Sequence, residues 1–144
     1  MRSYVVDASV ATRFLLEEDL SGEAKAVLRG YFEDEFDLVA PPIIVYEVGN
    51  SLRTATARNV VDPARAVEYF RRFLGMKLGR LSVDVADLDA ALGLSISKGL
   101  SYYDGMYVWA SRKEGVPLLT ADDRQYAIAR SETEVIHLKD FNNS

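Results

Sequence analysis

Four acidic residues occupy positions where strands end or helices begin. Asp7 closes the β-branched run SYVVD, and Asp122 closes the run VPLLTAD. Glu47 interrupts the apolar stretch PPIIVYEVGNSL, and Asp104 falls in the first helical turn of LSYYDGMYVWASRKEG. In open α/β sheets, ligands bind outside the carboxyl ends of the strands, where the following helices also begin. We therefore expect the four carboxylates to converge at one edge of a sheet.

A cluster of carboxylates needs positive charge to offset its internal repulsion, and no lysine or histidine lies beside these acids in the sequence. Hard oxygen ligands of this kind select Mg²⁺ or Mn²⁺. Such ions support phosphoryl transfer, in which the metal activates water and stabilises the leaving oxygen of an in-line displacement. The acids therefore favour a metal-dependent phosphoryl-transfer site.

Simpler structural roles exist for most of these acids. Asp7 could cap a short helix that starts near Ser9, and Asp122 could cap the helix that follows it. Asp104 could stabilise its helix N-terminus through the macrodipole and the free N–H groups. Glu47 is harder to explain in this way, because a carboxylate among apolar neighbours is costly to bury without a partner.

Strand-like runs alternate with helical patterns along the chain. The runs are SYVVD, FDLVAPP, RLSV, VPLLTAD and EVIHL. Helical spacing predicts helices over 21–35, with Ser21 as the N-cap, and over 43–58, then from Asp62 onward, from Asp84 to near Gly99, from Ser101 to Gly115, and over DRQYAIARS. This alternation predicts a parallel sheet covered by helices on both faces, which is a three-layer α/β domain.

Length and composition exclude several classes of protein. A chain of 144 residues fits one domain, and the absence of cysteine excludes thiol nucleophiles, disulfides and cysteine-ligated zinc. We expect no membrane span, because no apolar run approaches the roughly 18 residues required. We expect no signal peptide, because Asp7 comes too early for an apolar signal segment. These features fit a cytoplasmic protein. The net charge of −5 means that an anionic substrate would need local basic groups or bound cations.

The motifs VVDASV, YEVGNSL, YYDGMYVWA and LLTADDR together resemble the successive motifs of the PIN-domain ribonucleases, and in particular the VapC-type toxins of prokaryotic toxin–antitoxin pairs. The resemblance runs from about Tyr4 to Phe141. It implies a single PIN-like domain over 1–144 with a five-stranded parallel sheet in the order 3-2-1-4-5. It also implies a Mg²⁺- or Mn²⁺-dependent endoribonuclease, a homodimer, and a VapB-type antitoxin that inserts a basic side chain among the acids.

Residue by residue, the resemblance places the catalytic and metal-binding acids at Asp7, Glu47, Asp104 and Asp122. It suggests supporting polar roles for Ser9, Asn50 and Thr120. The Thr-x-Asp pattern within TADD favours Asp122 as the fourth acid and leaves Asp123 as the alternative, or as a nearby cap or outer-shell group. The chain departs from the family at Gly49 and Gly105, where alanine is more common.

Other polar and aromatic residues have less specific roles. His137, the only histidine, lies in the final strand and is predicted to be structural, so the role of general base falls to metal-bound hydroxide. Several arginines near the motifs could contact phosphates: Arg13, Arg53, Arg58 and Arg124. A set of aromatic residues could stack bases but more often packs a core or a dimer face: Tyr102, Tyr103, Tyr107 and Trp109. We expect FLLEEDL and the helix bearing Tyr69, Phe70, Phe73 and Leu74 to supply the dimer contact.

Two other functions fit part of the sequence. A PIN-like binding module would use the acids for structure or for a partner, with little or no catalysis. A phosphatase or phospho-acceptor domain also opens on a VVD strand, but the haloacid-dehalogenase pattern requires a second aspartate where Ser9 stands. A response-regulator receiver requires paired N-terminal acids and a lysine at the end of a late strand, which are absent. The phosphatase and the phospho-acceptor domain are therefore both set aside.

Overall fold

Five parallel strands form the sheet of the computed structural model, which describes residues 1–141. The strands are β1 (Ser3–Val6), β2 (Asp37–Ala40), β3 (Gly79–Arg80), β4 (Leu118–Thr120) and β5 (Val135–His137). Their order is β3-β2-β1-β4-β5, with every pair parallel. This arrangement confirms both the α/β class and the 3-2-1-4-5 order.

Seven α-helices of the described chain flank the sheet. They are α1 (Ala8–Arg13), α2 (Ser21–Phe32), α3 (Ile43–Ala57), α4 (Pro63–Gly75), α5 (Val85–Lys98), α6 (Tyr102–Glu114) and α7 (Asp123–Ala129), and a 3₁₀ turn follows at Leu138–Asp140. Among residues 1–141, none of these helices has the length and apolar content to cross a membrane.

The two central strands set the position of the acids. Val5 pairs with Leu118, and Val6 pairs with Leu119, and all four side chains are fully buried. Both strands therefore run through the core as continuous apolar segments, as expected for strands that are covered on both faces. Because the strands are parallel and in this register, Asp7 after β1 lies beside the end of β4. The main-chain N–H of Asp7 donates to the carbonyl of Leu119 at 3.3 Å.

Two details of the predicted elements are wrong. Ser21 is the first residue of α2, and its N-cap is Leu20 in the left-handed conformation at φ 66°. The Ser21 hydroxyl serves the preceding turn instead, since it accepts from the N–H of Glu18 at 2.7 Å and donates to the carbonyl of Leu16 at 2.9 Å. The strand predicted at RLSV is shifted to Gly79–Arg80, because only these residues pair with β2.

Gly105 has a packing reason that the sequence did not reveal. A Cβ built at this position would lie 1.8 Å from the Oγ of Ser95 on α5 and 3.3 Å from the carbonyl oxygen of Ala91. Helices α5 and α6 therefore approach so closely that any larger residue here would have to displace the side chain of Ser95. The departure from alanine at position 105 thus fixes how α6, which carries Asp104, sits against α5.

Some of the residues predicted to form a dimer face lie in the core, and others are only partly buried. Phe14, Leu16 and Phe73 are buried, and Leu74 remains 41% exposed. The large exposed apolar side chains on α5 form a stripe at three- and four-residue spacing instead: Val85, Leu88, Leu92 and Ile96. The side chains of Phe14, Leu16 and Phe73 are therefore not available for a dimer contact, whereas the rest of the predicted surface stays a prediction and α5 presents a further exposed apolar face.

Candidate active site

A cavity of about 520 Å³ opens at the carboxyl edge of the sheet. All four predicted acids line it: Asp7, Glu47, Asp104 and Asp122. They arrive from the end of β1, the second turn of α3, the first turn of α6 and the N-cap of α7. The expected convergence of four separate segments is therefore present in the structure.

Asp7 is the most deeply buried of these acids. Its Oδ1 accepts from the Ser9 hydroxyl at 2.5 Å and from the N–H of Val10 at 3.3 Å, and its Oδ2 accepts from the Thr120 hydroxyl at 2.5 Å. Burial raises the pKa of Asp7 from 3.8 to about 6, although these three bonds oppose the shift. Asp7 therefore does cap α1. The charged form of its carboxyl is still disfavoured, because the three hydrogen bonds do not offset the effect of burial.

Two of the predicted supporting residues, Ser9 and Thr120, form a small hydrogen-bond network around Asp7. Besides its bond to Asp7, the Ser9 hydroxyl accepts from the N–H of Ala121 at 2.9 Å, and the Thr120 hydroxyl accepts from the N–H of Asp122 at 3.1 Å. Asn50 lines the same cavity from α3. Ser9 and Thr120 thus link the loop after β1 to the loop after β4, and they orient Asp7 towards the segment that holds Asp122.

Glu47 is held by a residue whose polar role the sequence did not indicate. The hydroxyl of Tyr107, which lies one turn after Asp104 on α6, donates to Oε1 of Glu47 at 2.6 Å. The pKa of Glu47 is raised, chiefly by burial and further by the charge of Asp104. The pKa of Tyr107 is also raised, first by burial and then by Glu47, so the phenol remains a donor. The prediction that Tyr107 packs in the core is correct but incomplete.

Asp104 does not cap its own helix. Ser101 is the N-cap of α6, and its hydroxyl accepts from the N–H of Asp104 at 3.1 Å. The pKa of Asp104 is raised by burial and by the charge of Asp122, while Ser101 and Arg124 oppose the shift. Asp104 also contributes to the raised pKa of Asp7 and of Glu47. It therefore stands electrostatically at the centre of the four acids.

The two adjacent aspartates of TADD have different environments. Asp122 lines the cavity and caps α7 by accepting from the N–H of Gln125 at 2.8 Å. Asp123 points elsewhere, and its Oδ1 lies 2.8 Å from Nε2 of His137. Because Nδ1 of His137 accepts from the N–H of Lys139 at 3.2 Å, Nε2 carries the proton that is donated to Asp123. The geometry thus favours Asp122 as the cavity acid and gives His137 a structural contact on β5.

The arginines differ in their relation to the cavity. Arg13 and Arg58 line it, but Arg13 is engaged by Asp19 at 3.1 Å and by Glu18 at 3.9 Å. Arg58 forms no salt bridge within residues 1–141, and Arg53 faces an apolar groove between α3 and α4. Arg124 donates to the carbonyl of Gly99 at 2.9 Å. Among the residues that the structure describes, no lysine or arginine forms a salt bridge with any of the four cavity acids.

The model of the PIN domain family matches residues 4–131. The chain belongs to the PIN domain family. The matched segment contains all four cavity acids, so the family assignment and the cavity concern the same part of the molecule. Tyr107, which donates a hydrogen bond to Glu47, also lies within the matched segment.

Individual relatives agree with this assignment. The chain is 27% identical over 94 residues to "Exonuclease VapC9" of Pyrobaculum aerophilum, which covers 65% of this chain and 68% of the relative. The fold of this chain is similar to that of PAE2754 from the same organism. The TM-score is 0.71 at 23% identity, and the match covers 96% of this chain and 92% of PAE2754.

Two further solved structures share the fold at lower identity. VapBC2 from Rickettsia felis, bound to a DNA fragment from its promoter, gives a TM-score of 0.68 at 11% identity and covers 94% of this chain and 98% of that one. VapC20 from Mycobacterium tuberculosis, described as a sarcin–ricin loop cleaving toxin, gives 0.63 at 16% identity, with coverage of 86% and 93%. At these identities, the likeness establishes the fold of the PIN domain.

The donor set of this PIN domain fits a hard divalent cation. Burial and nearby negative charge raise the pKa of three cavity acids, Asp7, Glu47 and Asp104, so a bound cation would stabilise their charged forms. Within residues 1–141, no three acidic or histidine side chains stand close enough together to hold a metal ion by themselves. Mg²⁺ commonly keeps several waters and is held by one or two carboxylates together with substrate phosphates. An incomplete protein ligand set of that kind matches this cavity.

Sequence reasoning missed Tyr107 and Gln125 as polar neighbours of the acids. Tyr107 reaches Glu47, 60 residues away, and the side-chain amide of Gln125 reaches the carbonyl oxygen of Asp104, 21 residues away. The one available signal was the presence of a tyrosine hydroxyl and an amide within otherwise apolar helix faces.

Proposed function

We propose that this PIN domain is a Mg²⁺- or Mn²⁺-dependent endoribonuclease of the VapC type, which hydrolyses phosphodiester bonds of RNA as the toxin of a toxin–antitoxin pair. One observation carries the proposal: four acids from four separate segments line one cavity at the carboxyl edge of the sheet. Their raised pKa values at Asp7, Glu47 and Asp104 indicate a cluster in need of a cation.

The chain's own residues would have distinct roles in this reaction. Asp7, Glu47, Asp104 and Asp122 would hold the metal either directly or through its bound waters. The bound metal would supply Lewis acidity and an activated water for in-line displacement. Ser9 and Thr120 hold the carboxylate of Asp7 in one orientation through their bonds of 2.5 Å. Tyr107 holds Glu47 from the other side. These groups position the ligands in advance, which reduces the reorganisation that binding requires.

Substrate binding has to overcome the negative charge of the chain. With a net charge of −5, the chain cannot attract RNA through a broad basic surface. Arg58 lines the cavity and forms no salt bridge within residues 1–141, so its guanidinium is free to contact a phosphate beside the scissile one. The metal and Arg58 would together supply the positive charge that the phosphodiester backbone needs. We propose that the protein acts in the cytoplasm, where cellular RNA is available to a toxin of this type.

A second candidate function is a PIN-like binding module with little or no catalytic activity. It is favoured by the finding that no three acidic or histidine side chains of residues 1–141 form a closed metal-binding group. The two functions differ in a simple measurement, because a binding module would show neither Mn²⁺ binding in calorimetry nor metal-dependent cleavage of RNA.

The proposed partner is a VapB-type antitoxin. A basic side chain of the antitoxin, inserted among the four acids, would replace the metal and neutralise their negative charge. The support is that this chain shares its fold with a chain of VapBC2 from Rickettsia felis. Co-expression with the cognate antitoxin should abolish calorimetric Mn²⁺ binding by the complex. An unchanged Mn²⁺ affinity in the complex would exclude this mode of inhibition.

The protein is proposed to act as a homodimer. The support is the exposed apolar stripe on α5, where Val85 is 81% exposed and Ile96 is 75% exposed. Isolated exposed apolar residues are common, but a stripe along one helix face is typical of an interaction surface. A second copy in a twofold arrangement would cover this stripe with an identical one.

The test of the proposed function is cleavage of an end-labelled, structured RNA by purified protein in Mn²⁺ and in EDTA. We expect internal cuts in Mn²⁺, no cuts in EDTA, and a loss of at least 100-fold in Asp104→Asn. Asp89→Asn, which removes an exposed carboxylate on α5 away from the cavity, should cleave as the wild type does. Release of single nucleotides from one end would replace the endonuclease assignment with an exonuclease, and equal cleavage in EDTA would refute the metal dependence.

A further inference from the structure

Gln125 connects two of the cavity acids. Its main-chain N–H donates to Oδ1 of Asp122 at 2.8 Å, and its side-chain Nε2 donates to the carbonyl oxygen of Asp104 at 3.1 Å. The residue is 1% exposed, so both bonds are shielded from water. One residue therefore contacts the start of α6 and the N-cap of α7 at the same time.

Burying the side-chain amide of Gln125 costs free energy, because one of its polar atoms is left without a hydrogen bond. The Oε1 of Gln125 is buried and has no hydrogen-bond partner among the residues that the structure describes. The opposite orientation of the amide would not help, because it would set Oε1 against the carbonyl oxygen of Asp104. Leucine or methionine would fill the same volume without leaving a buried acceptor unpaired. Unfavourable local features of this kind are concentrated at functional sites.

We propose that Gln125 is a positioning residue that fixes Asp104 relative to Asp122, an inference that rests on the proposed metal-dependent function. On its other side, α6 is held against α5 by the close approach of Gly105 to Ser95. The bond from Gln125 is the corresponding restraint on the α7 side. Because Nε2 contacts the main chain of Asp104, it restrains the first turn of α6 and leaves the carboxylate free for a ligand.

The test uses Gln125→Met, which preserves the volume and removes both the donor and the unpaired oxygen. Without metal, the variant should melt at the wild-type temperature or higher, since a buried unpartnered acceptor has been removed. Its Mn²⁺ dissociation constant, measured by calorimetry, should rise at least about tenfold, as is typical when a group that orients metal ligands is lost. Increased metal-free stability together with weaker metal binding is a combination that a purely structural role would not produce.

Ser111→Ala is the matched control. The buried Ser111 hydroxyl also bonds to a main-chain oxygen, that of Val116 at 2.6 Å, but this bond lies away from the cavity acids. The control should melt lower than the wild type and keep the wild-type Mn²⁺ affinity. If Gln125→Met does not fold, Gln125→Asn takes its place, because it retains an amide that is one methylene too short to reach Asp104.

The outcomes separate this inference from the function on which it rests. Wild-type Mn²⁺ affinity in Gln125→Met, or in Gln125→Asn where that variant is used, overturns the positioning role and leaves the proposed nuclease intact. Failure of the wild type to bind Mn²⁺ overturns both. An equal loss of affinity in Ser111→Ala overturns the positioning role, because it would make the effect a general consequence of weakened packing.

Discussion

The burial of Asp7 predicts that the metal-free protein loses stability as the pH rises. The pKa of this carboxyl is raised from 3.8 to about 6 in the folded protein, so the folded state holds the proton more tightly than the unfolded chain. The resulting stabilisation is complete below about pH 3.8 and is lost as the pH rises through about 6. A shift of about two pKa units corresponds to about 3 kcal/mol, and roughly half of it is lost by pH 5.

Asp7→Asn isolates this effect from that of other titrating groups. Asparagine has the same shape and no charge, and the hydroxyls of Ser9 and Thr120 can reorient so that one of them accepts from the new amide. Such a comparison is needed because other carboxyls act in the opposite direction. The pKa of Asp87 is lowered by its bond from Lys113 at 2.6 Å, and that contribution stabilises the folded protein at higher pH.

The assay is urea unfolding of both proteins in EDTA between pH 4 and pH 8. We expect the free energy of unfolding of Asp7→Asn, relative to the wild type, to increase with pH by about 2 to 3 kcal/mol across this range. Mn²⁺ at neutral pH should stabilise the wild type and have little effect on the variant. Asp89→Asn, which alters an exposed carboxylate, should show no such trend. A pH-independent difference between Asp7→Asn and the wild type would refute the reasoning.

Further changes test other parts of the site and fold. In EDTA, Asp104→Asn should melt higher than the wild type and gain much less stability from Mn²⁺; a lower melting point with a full Mn²⁺ response would contradict its site role. Tyr107→Phe keeps the ring but loses the 2.6 Å bond to Glu47, so calorimetry should show about tenfold weaker Mn²⁺ binding, and unchanged affinity would exclude the positioning role. Gly105→Ala should lower the melting temperature, because its Cβ would lie 1.8 Å from a side-chain oxygen on α5. Gly93→Ala meets nothing within 4 Å and should raise the melting temperature. Equal melting temperatures of the two variants would contradict the close approach of α5 and α6. Light scattering at micromolar concentration should give twice the monomer mass, and a monomer mass would refute the proposed homodimer.

The sequence was sufficient to predict the fold and the cavity acids because both depend on local patterns. Alternating apolar strands and amphipathic helices indicated the parallel sheet, and the motif resemblance gave its strand order. Asp7 and Asp122 stand directly after strand-like runs, so their positions at one edge follow from parallel pairing. Glu47 was notable because it interrupts an apolar helix face.

The features that were missed depend on contacts between distant segments. The cap of α2 at Leu20 requires a left-handed backbone, which the presence of Ser21 next to it conceals. The 1.8 Å distance at Gly105 and the bond from Gln125 to Asp104 arise only when α5, α6 and α7 are packed together. Helical periodicity describes which face of a helix is apolar, but it does not specify how closely two helices approach. The exposed stripe on α5 escaped prediction for the same reason.

The most direct test of the central claim is a crystal of the protein grown with Mn²⁺, with data collected at a wavelength where manganese scatters anomalously. The account predicts an anomalous peak inside the cavity, within coordination distance of Asp104 and at least one of Asp7, Glu47 and Asp122. The same peak should be absent from crystals of Asp104→Asn. A cavity without a peak at a Mn²⁺ concentration that supports RNA cleavage, or a peak bound elsewhere on the molecule, would contradict the claim that these acids form a metal-dependent nuclease site.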